Sequence, residues 1–237
     1  MKRFLICAAI SMFPLIAQGH EINSAAKDGI APAFDVLRAD ATTDGKVAAF
    51  ILELAGKAGS LVPDPVGQLK GAKVNAYVWP TSLDAAQAGF AEKSGILALA
   101  VTAHPDFDDT PHYDEDGDGD KANDGKTWHS HWVVLEKDAA CGAGLKVRDI
   151  TPGKDVMPAT APGLPLALDS PEARPVMDNM MVSISIPMEK AEGASFDGVT
   201  AELQVNAEGK APLLCVVNVH DVASGDLSLP GKISAMK

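Results

Sequence analysis

Three histidines and a run of carboxylates lie within thirty residues of one another, and their types and spacing define what chemistry this chain can do. His129-Ser130-His131 is flanked by Trp128 and Trp132. In an extended chain residues i and i+2 point to the same face, about 7 Å apart. Both imidazoles can therefore reach one ion. Trp128, Ser130, Trp132 and Val134 take the opposite face, and tryptophan favours burial, so that face is expected to join the core. The histidines then look into a pocket or toward solvent. A third ligand must come from a neighbouring strand. Residues 95–104 and 126–136 are consecutive strand-like runs on either side of a polar connection. If they pair antiparallel, His104 lies beside Thr127 and diagonal to His129. His112, in the connection, can close over the site, and His220, on the last strand-like run, is a further candidate. Three imidazoles suit Zn²⁺ or Cu²⁺. With an open coordination position, such an ion acidifies bound water. The competing reading makes His129 and His131 hydrogen-bonding supports for the loop.

The connection itself carries Asp114-x-Asp116-x-Asp118-Gly119, then Asp120 and Asp124. Alternate aspartates followed by glycine resemble the first half of the EF-hand calcium loop. That resemblance implies a Ca²⁺ held by about six to eight oxygens, from Asp114, Asp116, Asp118 and the carbonyl of Asp120. The pattern departs at its twelfth position, where Gly125 replaces a bidentate glutamate; Asp124, one residue earlier, is the substitute. The flanks are not helical, so a calcium loop is expected without an EF-hand domain. Unneutralised, these carboxylates repel one another and oppose an ordered loop. Asp106, Asp108 and Asp109 are secondary candidates. The alternative is a solvated acidic loop with no ion.

A strand His-x-His also occurs in α-class carbonic anhydrases and in copper–zinc superoxide dismutases. The remaining motifs and ligand spacings of both families are missing here, and neither family is adopted. His20 would become the first residue after cleavage of a leader and could then chelate copper through its amine and ring. Met177, Met180, Met181 and Met188 could offer soft donors, but Val182, Ile184 and Ile186 beside them favour a core role. Gly-x-Ser-x-Gly, a phosphate-binding glycine loop and His-Glu-x-x-His are all absent from the sequence.

The elements that must position these residues read as strands. Ala33–Ala39, Val47–Ala55, Lys73–Trp79, Gly95–His104, Lys126–Glu136, Gly144–Ile150, Met180–Met188, Val199–Val205 and Leu213–Val222 alternate or are continuously apolar between Gly, Pro, Asp and Asn. Asp44-Gly45 between the first two predicts a hairpin. Leu83–Lys93 reads as one short helix capped by Ser82 or Asp84. Thr151–Pro175 carries six prolines and is expected to wrap the surface. The fold class is all-β, an immunoglobulin-like two-sheet sandwich with long loops, as a single domain over residues 20–237.

Lys2 and Arg3, an apolar stretch to Ala17, and Ala17-Gln18-Gly19 form a signal peptide over residues 1–19. The apolar run is shorter than the roughly 20 residues that span a bilayer. A periplasmic or secreted chain follows, with no membrane insertion after cleavage. Cys141 and Cys215 remain in such a chain, and an oxidising compartment favours a disulfide between them. With 32 acidic against 20 basic residues the net charge is −12. Phosphate backbones and anionic lipids repel such a surface, so nucleic acid is excluded as a partner. Metal ions are its natural partners, with another exported protein as a second. The leading expectation is an exported protein that binds Ca²⁺ on the acidic loop and Cu²⁺ or Zn²⁺ on the histidines, for metal capture, delivery or sensing. The alternatives are a Zn or Cu metalloenzyme, hydrolase or lyase, with Asp106 as base, and an adhesion module stiffened by calcium.

Overall fold

The computed structural model describes residues 20–111 and 113–236. The expected signal peptide and His112 lie outside the described residues. The chain runs through β1 (Ile22–Asn23), β2 (Val36–Thr43), β3 (Val47–Leu54), β4 (Lys73–Pro80) and β5 (Ile96–Ala103). It continues through β6 (His129–Lys137), β7 (Leu145–Val147), β8 (Leu168–Asp169), β9 (Val176–Asp178) and β10 (Met181–Pro187). The last elements are β11 (Ser195–Phe196), β12 (Val199–Val205), β13 (Leu214–Val222), β14 (Gly231–Lys232) and β15 (Ser234–Ala235). The architecture is all-β with packed sheets, as expected.

One sheet has the order β1-β2-β3-β10-β9, with β15 parallel to β2. Its centre is the β2–β3 hairpin. Asp44 accepts the N–H groups of Lys46 and Val47, both at 2.8 Å, and Gly45 turns the chain at φ +90°. The second sheet has the order β5-β4-β12-β13-β7-β6, and β6 pairs again with β5. This sheet is therefore a closed ring of six strands, with β8 added beside β6.

Closure explains the continuous apolar run in β5. A strand with one face in the ring and the other against a second sheet is buried on both. Leu97, Leu99 and Val101 pack with Phe50, Leu52, Trp79, Trp132, Val182 and Ile184 between the sheets. Ala98 and Ala100 turn the other way, into the ring, with Val74, Val78, Val133, Leu203 and Val216.

The thinnest seam of the ring lies between β7 and β13, which share one paired position, Cys215 opposite Lys146. The Cys141–Cys215 disulfide crosses this seam, with a sequence separation of 74. A disulfide marks a chain that matures outside the reducing cytoplasm. Among the described residues no helix is long and apolar enough to cross a membrane.

Two expectations need correction. The helix over Leu83–Lys93 is a single 3-10 turn, Ala85–Ala88. Asp84 and Gln87 form its capping box, and Gly89 ends it in the left-handed region. The proline-rich segment 151–175 does not stay on the surface. Leu166, Ala167, Leu168, Asp169 and Ser170 are buried, and β8 pairs with Trp132 and Val133 of β6.

Candidate metal centre

The β5–β6 register is antiparallel with Thr102 opposite His129 and Ala100 opposite His131. His104, just beyond β5, therefore falls beside the start of β6, on the same inward face as His129 and His131. The other face of β6 sends Trp132 into the core edge-on to Phe50. Strand alternation alone thus brings three imidazoles together inside the ring. The connection 105–128 folds back over that end and inserts Asp109. Its Oδ1 lies 3.1 Å from His104 Nε2, 3.1 Å from His129 Nε2 and 3.2 Å from His131 Nε2. His104 Nε2 and His129 Nε2 are 3.0 Å apart. The four side chains are between 1% and 5% exposed.

The far side of each ring fixes its proton. His104 Nδ1 donates to the Phe107 carbonyl at 2.9 Å, His129 Nδ1 to that of Thr127 at 2.7 Å, and His131 Nδ1 to that of Asp169 at 3.1 Å. A carbonyl only accepts, so each Nδ1 carries hydrogen and each neutral ring turns a lone pair inward through Nε2. Phe107 stacks on His104 with ring centroids 4.0 Å apart and holds its plane. Three lone pairs and a carboxylate oxygen then face one point. Asp109 Oδ1 and His131 Nε2 are buried without a hydrogen-bond partner, a costly arrangement unless a cation lies among them. Burial alone would raise the Asp109 carboxyl. Where the His104 and His131 imidazoles are charged, that charge and the hydrogen bonds of His104 and His129 outweigh burial and hold it well below the usual carboxylate range. The cluster can hold a metal ion.

Its spread is informative. Oδ1 is near 3.1 Å from all three nitrogens, so no nitrogen stands opposite it across a square plane. The four ligand atoms all lie within 4.8 Å of one another, close enough for one ion to touch each of them.

The acidic connection gathers some of its carboxylates and not others. Asp114, Asp116 and Asp124 converge, as do Asp108, Glu115 and Asp124. Asp124 is fully buried and accepts the N–H groups of Glu115 at 2.8 Å and Asp116 at 3.3 Å. Burial, with Asp124 close by, raises the Glu115 carboxyl. Asp118 and Asp120 stand outside both groups. Asp118 accepts from Asp120 N at 2.7 Å and from Asn123 at 3.0 Å, and Asp120 from Ala122 N at 3.0 Å, so each closes a small exposed turn. The hydrogen bonds of Asn123 and Asp120 lower the Asp118 carboxyl.

Other candidates lie apart. Asp106 accepts from Val66 and Gly67 N–H groups and anchors their loop. His220 stacks on Phe34 at 4.6 Å, and burial lowers its pKa. Met188 is core, Met177 packs against it, and Met180 and Met181 are exposed. His20 belongs to none of the gathered groups. The residue that sequence spacing ranked too low is Asp109. Its signal was present in the three aspartates that follow His104-Pro105, but which of them turns inward depends on how the connection folds back.

No protein-family profile, no curated protein and no solved structure matches this chain.

Proposed function

We propose that this chain is an exported protein that captures and holds a transition ion at His104, Asp109, His129 and His131, with Zn²⁺ as the ion its geometry favours. The observation that carries this reading is the convergence of three Nε2 atoms on one carboxylate oxygen at 3.1–3.2 Å, each imidazole having its other nitrogen committed to a carbonyl. Such outer contacts orient ligands and fix their tautomer. Four protein ligands, all buried, complete a tetrahedral zinc shell and leave no position for a reacting water. That favours holding over hydrolase or lyase chemistry. The equal spacing around Asp109 disfavours the square plane typical of Cu²⁺.

The same reading gives the acidic connection a Ca²⁺ ion, held by Asp124 with Asp114 and Asp116 on one side or Asp108 and Glu115 on the other. Oxygen-only donors suit that hard ion. The two ions would share one scaffold: Asp108 and Asp109 are neighbours in sequence, and His104 N donates to the Gly125 carbonyl at 2.6 Å. Export agrees with the disulfide.

The test is titration of metal-free protein with Zn²⁺ against a chromophoric chelator. One ion per chain is expected, with affinity reduced at least ~100-fold in the His129→Ala/His131→Ala double variant. Calcium binding should survive in that variant. A double variant that takes zinc as tightly as the parent rejects the assignment.

A further inference from the structure

The lumen of the ring is not used by the metal reading. Cross-strand pairing aligns Ala201 of β12, Ala76 of β4, Thr102 of β5 and His129 of β6 in one row. The next row holds Val199, Val78, Ala100 and His131. Elsewhere the inward positions are mostly Val and Leu. At the level of the imidazoles three of them are alanine, and the lumen holds a cavity of about 70 Å³ whose lining runs from His104, Asp109 and His131 to Pro80, Leu135, Leu145 and Leu227. Its walls are apolar except near Thr102, His104, Asp109 and His131.

We propose that this chamber binds a small uncharged apolar molecule, of dioxygen or short-hydrocarbon size, and holds it against the imidazole end of the barrel. The wall chemistry selects the class. A buried water needs two to four polar partners, and most of the wall offers none. A charged or strongly hydrogen-bonding molecule would lose its hydration without replacement. Size sets the upper limit, because an apolar cavity of about 150 Å³ accommodates benzene or xenon, and this one is smaller. The position of the guest beside an ion rests on the metal reading; the chamber itself does not.

Xenon is the probe, followed by ¹²⁹Xe NMR on the full folded protein with and without one equivalent of Zn²⁺. A saturable xenon shift is expected in both states. Ala201→Leu, which places three more carbons in the lumen, should weaken xenon binding at least tenfold while still taking one zinc per chain. Ala76→Val is the milder filling and should weaken it in the same direction if the leucine variant fails to fold. A parent protein without a saturable shift, or unchanged xenon affinity in the folded filled variants, overturns the proposal. Xenon binding retained in a protein that takes no zinc would remove the metal reading and leave the chamber standing.

Discussion

At the scale of single residues, the centre depends on which nitrogen carries each proton. Ser170 donates its hydroxyl to the Asp109 carbonyl at 2.8 Å and lies 3.3 Å from His131 Nδ1. It touches both a ligand's backbone and a ligand's ring without being a ligand. Ser170→Ala should therefore weaken zinc binding by ~10-fold or somewhat more, the usual effect of an outer contact, as read by chelator competition. Asp109→Asn keeps the shape and removes the charge, so it should cost more than the serine change. The pH dependence has a definite sign. Ligating imidazoles must be deprotonated, so protons compete with zinc and binding weakens as pH falls. Charged His104 and His131 imidazoles hold Asp109 well below the usual carboxylate range, so its carboxylate form is retained as pH falls. As a group with a depressed folded-state pKa, its own contribution persists above the ordinary carboxylate value. It is lost only as pH falls through the depressed one. Chelator competition across pH should show zinc affinity falling toward acid; an affinity unchanged between about pH 8 and about pH 5 would contradict imidazole ligation.

At the scale of elements, two features hold the site. The first is Gly125. A methyl group there would run into the carbonyl oxygens of Phe107 and His104, and those are backbone atoms that cannot step aside. Gly125→Ala should push the 104–107 segment outward and reduce zinc affinity as severely as loss of a ligand, measurable in the same competition. From sequence this glycine is only a gap in a calcium pattern; its close approach to His104 emerges when the connection folds back. The second feature is the disulfide. Closing a loop of 74 residues contributes about 4 kcal/mol in the chain-entropy model. Cys141→Ser/Cys215→Ser should lower the unfolding free energy by about that much in denaturant melts. The strands themselves were legible because alternation and turn residues are local, and so was the shared face of His129 and His131. The antiparallel β5–β6 pairing followed from their adjacency in sequence, but ring closure did not, since the β7–β13 seam is a long-range contact. The helix over 83–93 failed for a local reason: alanine favours helix, but Gly89 and the buried Phe90 end it after one turn.

For the whole molecule, an ion held at this cluster would act on the stability of the fold. The acidic surface, with 32 carboxylates against 20 basic side chains, attracts cations and repels polyanions. A buried charge cluster adds stability once the ion is in place. At one hundred times its dissociation constant a ligand stabilises the native state by about 2.7 kcal/mol. In a domain of this size that is a rise in Tm of roughly 5–10 °C. Calcium should add its own increment through the acidic connection. The most direct test of the central claim is elemental analysis of the protein purified from its native compartment without chelators or metal-affinity steps. One transition-metal atom per chain, absent from the His129→Ala/His131→Ala variant prepared in the same way, is the expected result. A parent protein that carries no transition metal, or a variant that carries as much as the parent, would contradict it.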